Sequence, residues 1–209
     1  MTDDKLVWIR TQLRFPQSLY NKQKWHLTLT NIRQLKKGST VLDIGFGYPF
    51  LSTFLGQEYD IYGTDIEPEA LKNLDEKRYK HANIEEVIPF GNSKFDCIVM
   101  LELIEHLRNI EKVFKEIKRV LKPGGIVLIA TPNYSFLPGL LWKAVESTYF
   151  RMCAKGYKHV EQHHINKYSK HRIASELNTY FGHVEVMAMS YGMGLFAICK
   201  TDPTASEAQ

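Results

Sequence analysis

The chain has 209 residues, enough for one domain with a peripheral elaboration and for a core that needs no disulfide or metal staple. Hydrophobic residues make up 44% and charged residues 24%, which excludes a largely disordered chain, and no apolar run approaches the roughly 18 residues of a membrane span. A net charge of +4 permits an anionic partner without requiring one.

The start, Met1-Thr2-Asp3-Asp4-Lys5, lacks a secretory pattern. Apolar positions at helical spacing (Leu6, Ile9, Leu13, then Leu27, Leu29, Ile32, Leu35) predict an N-terminal helical segment over 1–37, broken near Pro16. From residue 40 the rhythm becomes regular. Strands are expected at Thr40–Ile44, Asp60–Thr64, Lys80–Ile84, Phe95–Leu101 and Gly125–Thr131. Helices are expected at Pro49–Leu55, Glu67–Glu76 and Ile110–Leu121, the last ended by Lys122-Pro123-Gly124-Gly125. Apolar strands alternating with helices predict an α/β fold, a mostly parallel sheet covered on both faces. Residues 132–168 break the rhythm with aromatics and histidines, an insertion placed as a lid over the sheet's carboxyl edge. A helix at Lys170–Tyr180 and strands at Val184–Met189 and Leu195–Lys200 close a domain spanning 38–200, and 201–209 is a flexible tail. The three cysteines, Cys97, Cys153 and Cys199, have no metal-type spacing, and Cys97 and Cys199 lie in strand patterns; reduced thiols of a cytoplasmic protein are expected.

The first strand runs into Asp43-Ile44-Gly45-Phe46-Gly47. A Gly-x-Gly turn there lets backbone approach a ligand, at the carboxyl edge where open parallel sheets bind nucleotides. The second strand ends in Asp65, about 20 residues on, where a ribose-binding carboxylate belongs. An Asp in that place also serves simply as a helix cap.

Val-Leu-Asp-Ile-Gly-x-Gly, then Gly-x-Asp, Phe-Asp-x-Ile and Leu-Lys-Pro-Gly-Gly, over roughly residues 38–131, resembles the class I S-adenosylmethionine-dependent methyltransferases. The resemblance implies a Rossmann-like seven-stranded sheet with its last strand antiparallel. It implies S-adenosyl-L-methionine as cofactor, with Asp43, Gly45, Phe46 and Gly47 around its methionine part and Asp65 on the ribose. Ile66, Asn83, Ile84 and Leu101 would line the adenine side and the floor of the cleft. Pro49, Phe46 and Asn83 depart from the commoner residues of that family and keep open a degenerate cofactor-binding partner subunit.

After the fourth strand, Glu102, Glu105 and His106 stand at i, i+3 and i+4, one face of a helical turn. Two carboxylates and an imidazole suit a divalent ion or general-base work. The segment Glu161-Gln162-His163-His164 offers a further ligand; spacing to Tyr168 favours His164 over His163, and His159 is another candidate. Glu-x-x-Glu-His with a later His resembles quinone-biosynthesis O-methyltransferases and the small-RNA 2′-O-methyltransferases. That resemblance implies magnesium or manganese at Glu102, Glu105, His106 and His164, with Glu105, His106 and His164 as candidate catalytic residues. The competing readings are metal-free: the Glu caps a helix and His106 packs against the cofactor, or His106 takes part in catalysis without a metal.

Thr131-Pro132-Asn133 resembles a branch acting on small metabolites, sugars and lipid-linked intermediates. The apolar run Phe136–Val145 suits a lid, ordinary core or weak membrane-surface contact, and Tyr149, Phe150 and Tyr157 suit an acceptor pocket. Arg108, Lys112, Lys115, Arg119 and Lys122 form a basic stripe that suits either a solvated face or an RNA backbone. The expected activity is methyl transfer to a hydroxyl of a small-molecule, glycan or lipid acceptor, with a metal-dependent RNA 2′-O-methyltransferase as the alternative.

Overall fold

A computed structural model describes residues 17–135 and 164–202. Seven strands form one sheet: β1 (Thr40–Ile44), β2 (Asp60–Asp65), β3 (Tyr79–His81), β4 (Phe95–Leu101), β5 (Leu121–Pro132), β6 (His183–Met189) and β7 (Gly194–Lys200). Their spatial order is β3-β2-β1-β4-β5-β7-β6, and β7 runs antiparallel to both its neighbours while the others are parallel.

Side chains alternate across each strand, so adjacent residues enter opposite cores. Leu42, Ile98 and Met100 pack into one cluster with Val113, Phe114 and Ile117 of α3 (Ile110–Val120) and Ile173 and Leu177 of α4 (Lys170–Leu177). Val41, Cys97 and Val99 face the other side, with Tyr20 and Ile32 of α1 (Gln17–Ile32) and Leu51 and Leu55 of α2 (Phe50–Leu55). Helices therefore cover both faces, and the central strands read as continuous apolar runs because water touches neither side.

α3 starts where the Asn109 side chain accepts the Lys112 N–H at 3.0 Å, an N-cap. It stops at Val120, and Leu121 already pairs with Phe95. The register then jumps to Cys97 against Ile126, so Lys122-Pro123-Gly124-Gly125 bulges out, with Gly124 at φ +72°.

Three expected elements differ. Residues 67–76 hold only a single 3₁₀ turn, Pro68–Leu71, which buries no side chain; Asn73 at φ +66° ends any helical path. The third strand is Tyr79–His81 rather than Lys80–Ile84, because Asn83 Oδ1 accepts the Glu85 N–H and turns the chain. The helix expected to reach Tyr180 ends at Leu177. The part of the N-terminal segment before residue 17, and the break at Pro16, lie outside the described residues.

Candidate active site

The carboxyl ends of β1, β2, β4 and β5 share one edge of the sheet, and the candidate residues collect there. The loop after β1 is bent by Gly45 at φ +67° and Gly47 at φ +54°, a region open to glycine at little cost. A Cβ on Gly45 would meet Leu103 Cδ2 at 3.0 Å, whereas one on Gly47 would enter open space. Asp65, at the end of β2, fixes this loop: its Oδ2 accepts the Gly47 N–H at 2.8 Å, and its Oδ1 accepts the Glu67 N–H at 2.9 Å.

Asp43 lies at the floor of the same cleft, 5% exposed. Burial, and then the charge of Asp65, push its carboxyl up to about 8. Among the described residues neither carboxylate has an ion-pair partner. The cleft therefore holds paired acids that a cationic ligand would relieve.

The other cofactor candidates divide. Ile66 is 57% exposed beside Asp65, and its carbonyl is held by His81 Nε2 at 2.8 Å, a contact the sequence reading did not foresee. The Phe46 ring is buried edge-on against Tyr79, so only its backbone belongs to the loop's ligand-facing path. Asn83 spends its amide oxygen on Glu85 N–H and its amide nitrogen on Glu86 Oε1, and Ile84 packs into the core. Leu101 ends β4 and packs partly buried against the second cluster.

Beyond β4, Glu102, Glu105 and His106 do not form one helical turn. Glu102 takes φ +55°, and the only turn is the 3₁₀ segment Ile104–His106. The Glu102 carboxylate points to α1, where it accepts from the Tyr20 hydroxyl at 2.5 Å and pairs with Lys24 Nζ at 3.5 Å. Glu105, His106 and His164 do come together, with ligand-capable atoms all within 4.8 Å of one another, and Glu102 is outside this group. The His106 and His164 rings meet edge-on, centroids 4.7 Å apart.

Glu105 is fully buried. Its Oε2 accepts from Thr131 Oγ1 at 2.9 Å, and its Oε1 has no hydrogen-bond partner among the described residues. Burial and the nearby Glu102 charge raise its carboxyl to about 8. Tyr134 hydrogen-bonds His164 Nδ1 through its hydroxyl, and its backbone N–H donates to Tyr168 O at 2.8 Å. The two ends of the 132–168 insertion thus meet beside the imidazole pair. Tyr20, Lys24, Thr131 and Tyr134 were not singled out as site residues by the sequence; only the i, i+4 spacing of Tyr20 and Lys24 signals a shared helix face.

Three cations of the basic stripe are spoken for. Lys115 pairs with Glu111 at 2.6 Å, Lys122 with Asp96 at 2.8 Å, and Arg119 with Glu116 at 2.7 Å while also reaching the Ile88 and Phe90 carbonyls. His159, Glu161, His163, Cys153, the run Phe136–Val145, and Tyr149, Phe150 and Tyr157 lie outside the described residues.

Comparison with known proteins agrees with this geometry. The family described as Methyltransferase domain matches residues 42–129. Demethylmenaquinone methyltransferase of Listeria welshimeri is 27% identical over 141 residues, 61% of this chain and 58% of its own. Ubiquinone biosynthesis O-methyltransferase of Coxiella burnetii is 30% identical over 129 residues, 57% of this chain and 55% of its own. The chain thus spans less than two thirds of the length of these curated relatives. A SAM-dependent methyltransferase from Archaeoglobus fulgidus shares the fold, with TM-score 0.66 at 15% identity, covering 93% of this chain and 99% of that one.

Proposed function

We propose that this chain, whose residues 42–129 match the methyltransferase domain family and which shares the fold of a SAM-dependent methyltransferase, transfers a methyl group from S-adenosylmethionine to a hydroxyl oxygen. The acceptor is a hydroxylated small molecule, glycan or lipid intermediate, with a quinone precursor the first choice because two relatives carry quinone-pathway names. One observation carries the reading: an acidic, glycine-looped cleft and a buried carboxyl joined by two half-buried imidazoles share the same sheet edge.

The residues fit the cofactor. S-adenosylmethionine, when bound, supplies an electrophilic methyl on a sulfonium centre. Asp43 and Asp65 supply the negative field that a sulfonium and an ammonium require. Asp65 is placed to accept from ribose hydroxyls while it braces Gly47, and the exposed Ile66 side chain offers an apolar surface to the base.

The imidazole of His106 or His164 takes the acceptor's hydroxyl proton as the new O–C bond forms. Glu105, buried and held by Thr131, is positioned to stabilise the imidazolium that forms beside it. Glu105, His106 and His164 also fit a divalent ion such as magnesium or manganese, given their mutual distances and the unpartnered Oε1. Such an ion, when bound, lowers the pKa of an acceptor hydroxyl.

An RNA acceptor has less support, since two of the four cations of α3, Lys115 and Arg119, are paired within the protein. The hydrogen-bonded ends of the 132–168 insertion support its role as a lid over the acceptor. Cys97 and Cys199 are buried free thiols, which supports a cytoplasmic location. No described helix is long and apolar enough to cross a membrane.

The test is calorimetric titration of S-adenosylhomocysteine, followed by methyl transfer to a panel of catechols and quinols with and without manganese. Failure to bind the product sinks the reading and leaves a degenerate partner subunit. Transfer that survives both His106→Gln and His164→Gln removes the imidazole base.

A further inference from the structure

His106 and His164 are separated by a long stretch of chain, yet their rings touch. A backbone link between the two segments is made two residues after His164. The Asn166 backbone N–H donates to Glu105 O at 2.9 Å, and its Nδ2 donates to Leu107 O at 2.6 Å and to Ile104 O at 3.3 Å. A primary amide has two N–H donors on one nitrogen, and here both meet carbonyls of the 3₁₀ turn that carries Glu105 and His106. A turn of three residues has little stability of its own, so its carbonyls need partners from elsewhere.

The next fixed point is Tyr168, fully buried, whose carbonyl accepts the Tyr134 N–H at 2.8 Å. His164 therefore stands just before a backbone pinned at positions 166 and 168, while Tyr134 holds its Nδ1. A carboxylate at 166 would present oxygens to two carbonyl oxygens, and an aliphatic residue would leave both without this donor.

We propose that Asn166 is a positioning residue: it docks the returning end of the insertion onto the Ile104–His106 turn and so sets His164 against Glu105 and His106. The inference rests on the proposed role of His164 in proton or metal handling. It concerns geometry, so it can be tested without knowing the acceptor.

The experiment is NMR on histidine-labelled protein saturated with S-adenosylhomocysteine, with ring signals assigned through His106→Gln and His164→Gln. The unmodified protein is expected to show a cross-peak between the His106 and His164 rings. Asn166→Asp, equal in size but without the donors, and Asn166→Ala are both expected to lose it. Affinity for S-adenosylhomocysteine, measured on the same samples, is expected to stay unchanged in both. Lys167→Ala, an exposed neighbour, is expected to keep the cross-peak. Its survival in both Asn166 variants overturns the proposal. So does loss of S-adenosylhomocysteine binding together with the cross-peak, which would make Asn166 a general support of the fold. Absence of product binding in the unmodified protein would instead count against the methyltransferase reading.

Discussion

The Tyr20 hydroxyl donates to Glu102 Oε1 at 2.5 Å, joining α1 to the residue that follows β4 across 82 positions of sequence. Lys24, one turn further along α1, brings its ammonium to 3.5 Å from the same carboxylate while remaining 7% exposed. Gln23 adds a third tie, its side-chain oxygen accepting the Ser190 N–H at the β6–β7 turn. The N-terminal helix thus buttresses the carboxyl edge of the sheet and draws Glu102 away from Glu105.

Tyr20→Phe should test that tie. Removing a hydroxyl bonded to a carboxylate should cost about 1–2 kcal/mol, reduced from the full value of a charged bond because Glu102 is partly solvated. Urea unfolding measures it. An unchanged midpoint would mean that Lys24 alone holds Glu102.

Asp65→Ala should weaken S-adenosylhomocysteine binding by about 1.5–3 kcal/mol, the scale of charge-assisted hydrogen bonds, with further loss because Gly47 is no longer braced. Calorimetry on folded protein checks it, and an unaltered affinity would remove Asp65 from the ribose role.

The Asp43 carboxyl gives a pH signature. Its value of about 8 lies above its ordinary range, so the folded, unliganded protein holds a proton there that the unfolded chain releases. Stability from this group is full at pH values below the unfolded carboxylate pKa and is lost as pH rises towards 8. Asp43→Asn should therefore raise the melting temperature more at pH 8 than at pH 5. S-adenosylmethionine, being cationic, should favour the ionised form, so its affinity should climb between pH 6 and 8 and level off above. Melting curves and calorimetry at the two ends of each range decide both points.

Gly45→Ala should destabilise the protein by about 1–2 kcal/mol through its left-handed backbone alone. It should also disturb the His106 ring signals, because the new methyl would press on Leu103, next to the Ile104–His106 turn. Gly47→Ala carries the same backbone cost without that contact, so its effect should fall on cofactor affinity. Thermal melts and histidine NMR distinguish the two.

What the sequence made legible follows from period and burial. β1, β4 and α3 emerge within a residue of their observed bounds, because their apolar spacing is strict and both sheet faces are covered. Asp65 and the pair Glu105–His106 could be assigned to the sheet's carboxyl edge because strand ends and glycine turns mark where that edge lies. Glu102 was misplaced because a spacing of three and four presumes unbroken helix, and a single φ of +55° defeats it. The stretch 67–76 misled because its helical spacing gives no sign that Asn73 takes φ +66° and stops the helical path after one 3₁₀ turn. Tyr20, Lys24 and Asn166 act over tertiary contacts, which leave no periodic trace in a single chain.

The hydrogen bond from Tyr134 N–H to Tyr168 O ties the ends of the insertion together at the sheet edge. A loop closed at its base is a cassette: lengthening it costs little, since doubling a loop adds only about 0.6 kcal/mol of closure entropy. Sequence change between residues 136 and 163 therefore leaves this tie in place, and with it Glu105, His106 and His164. Under the proposed lid role, acceptor choice and chemistry become separately inheritable parts of one fold.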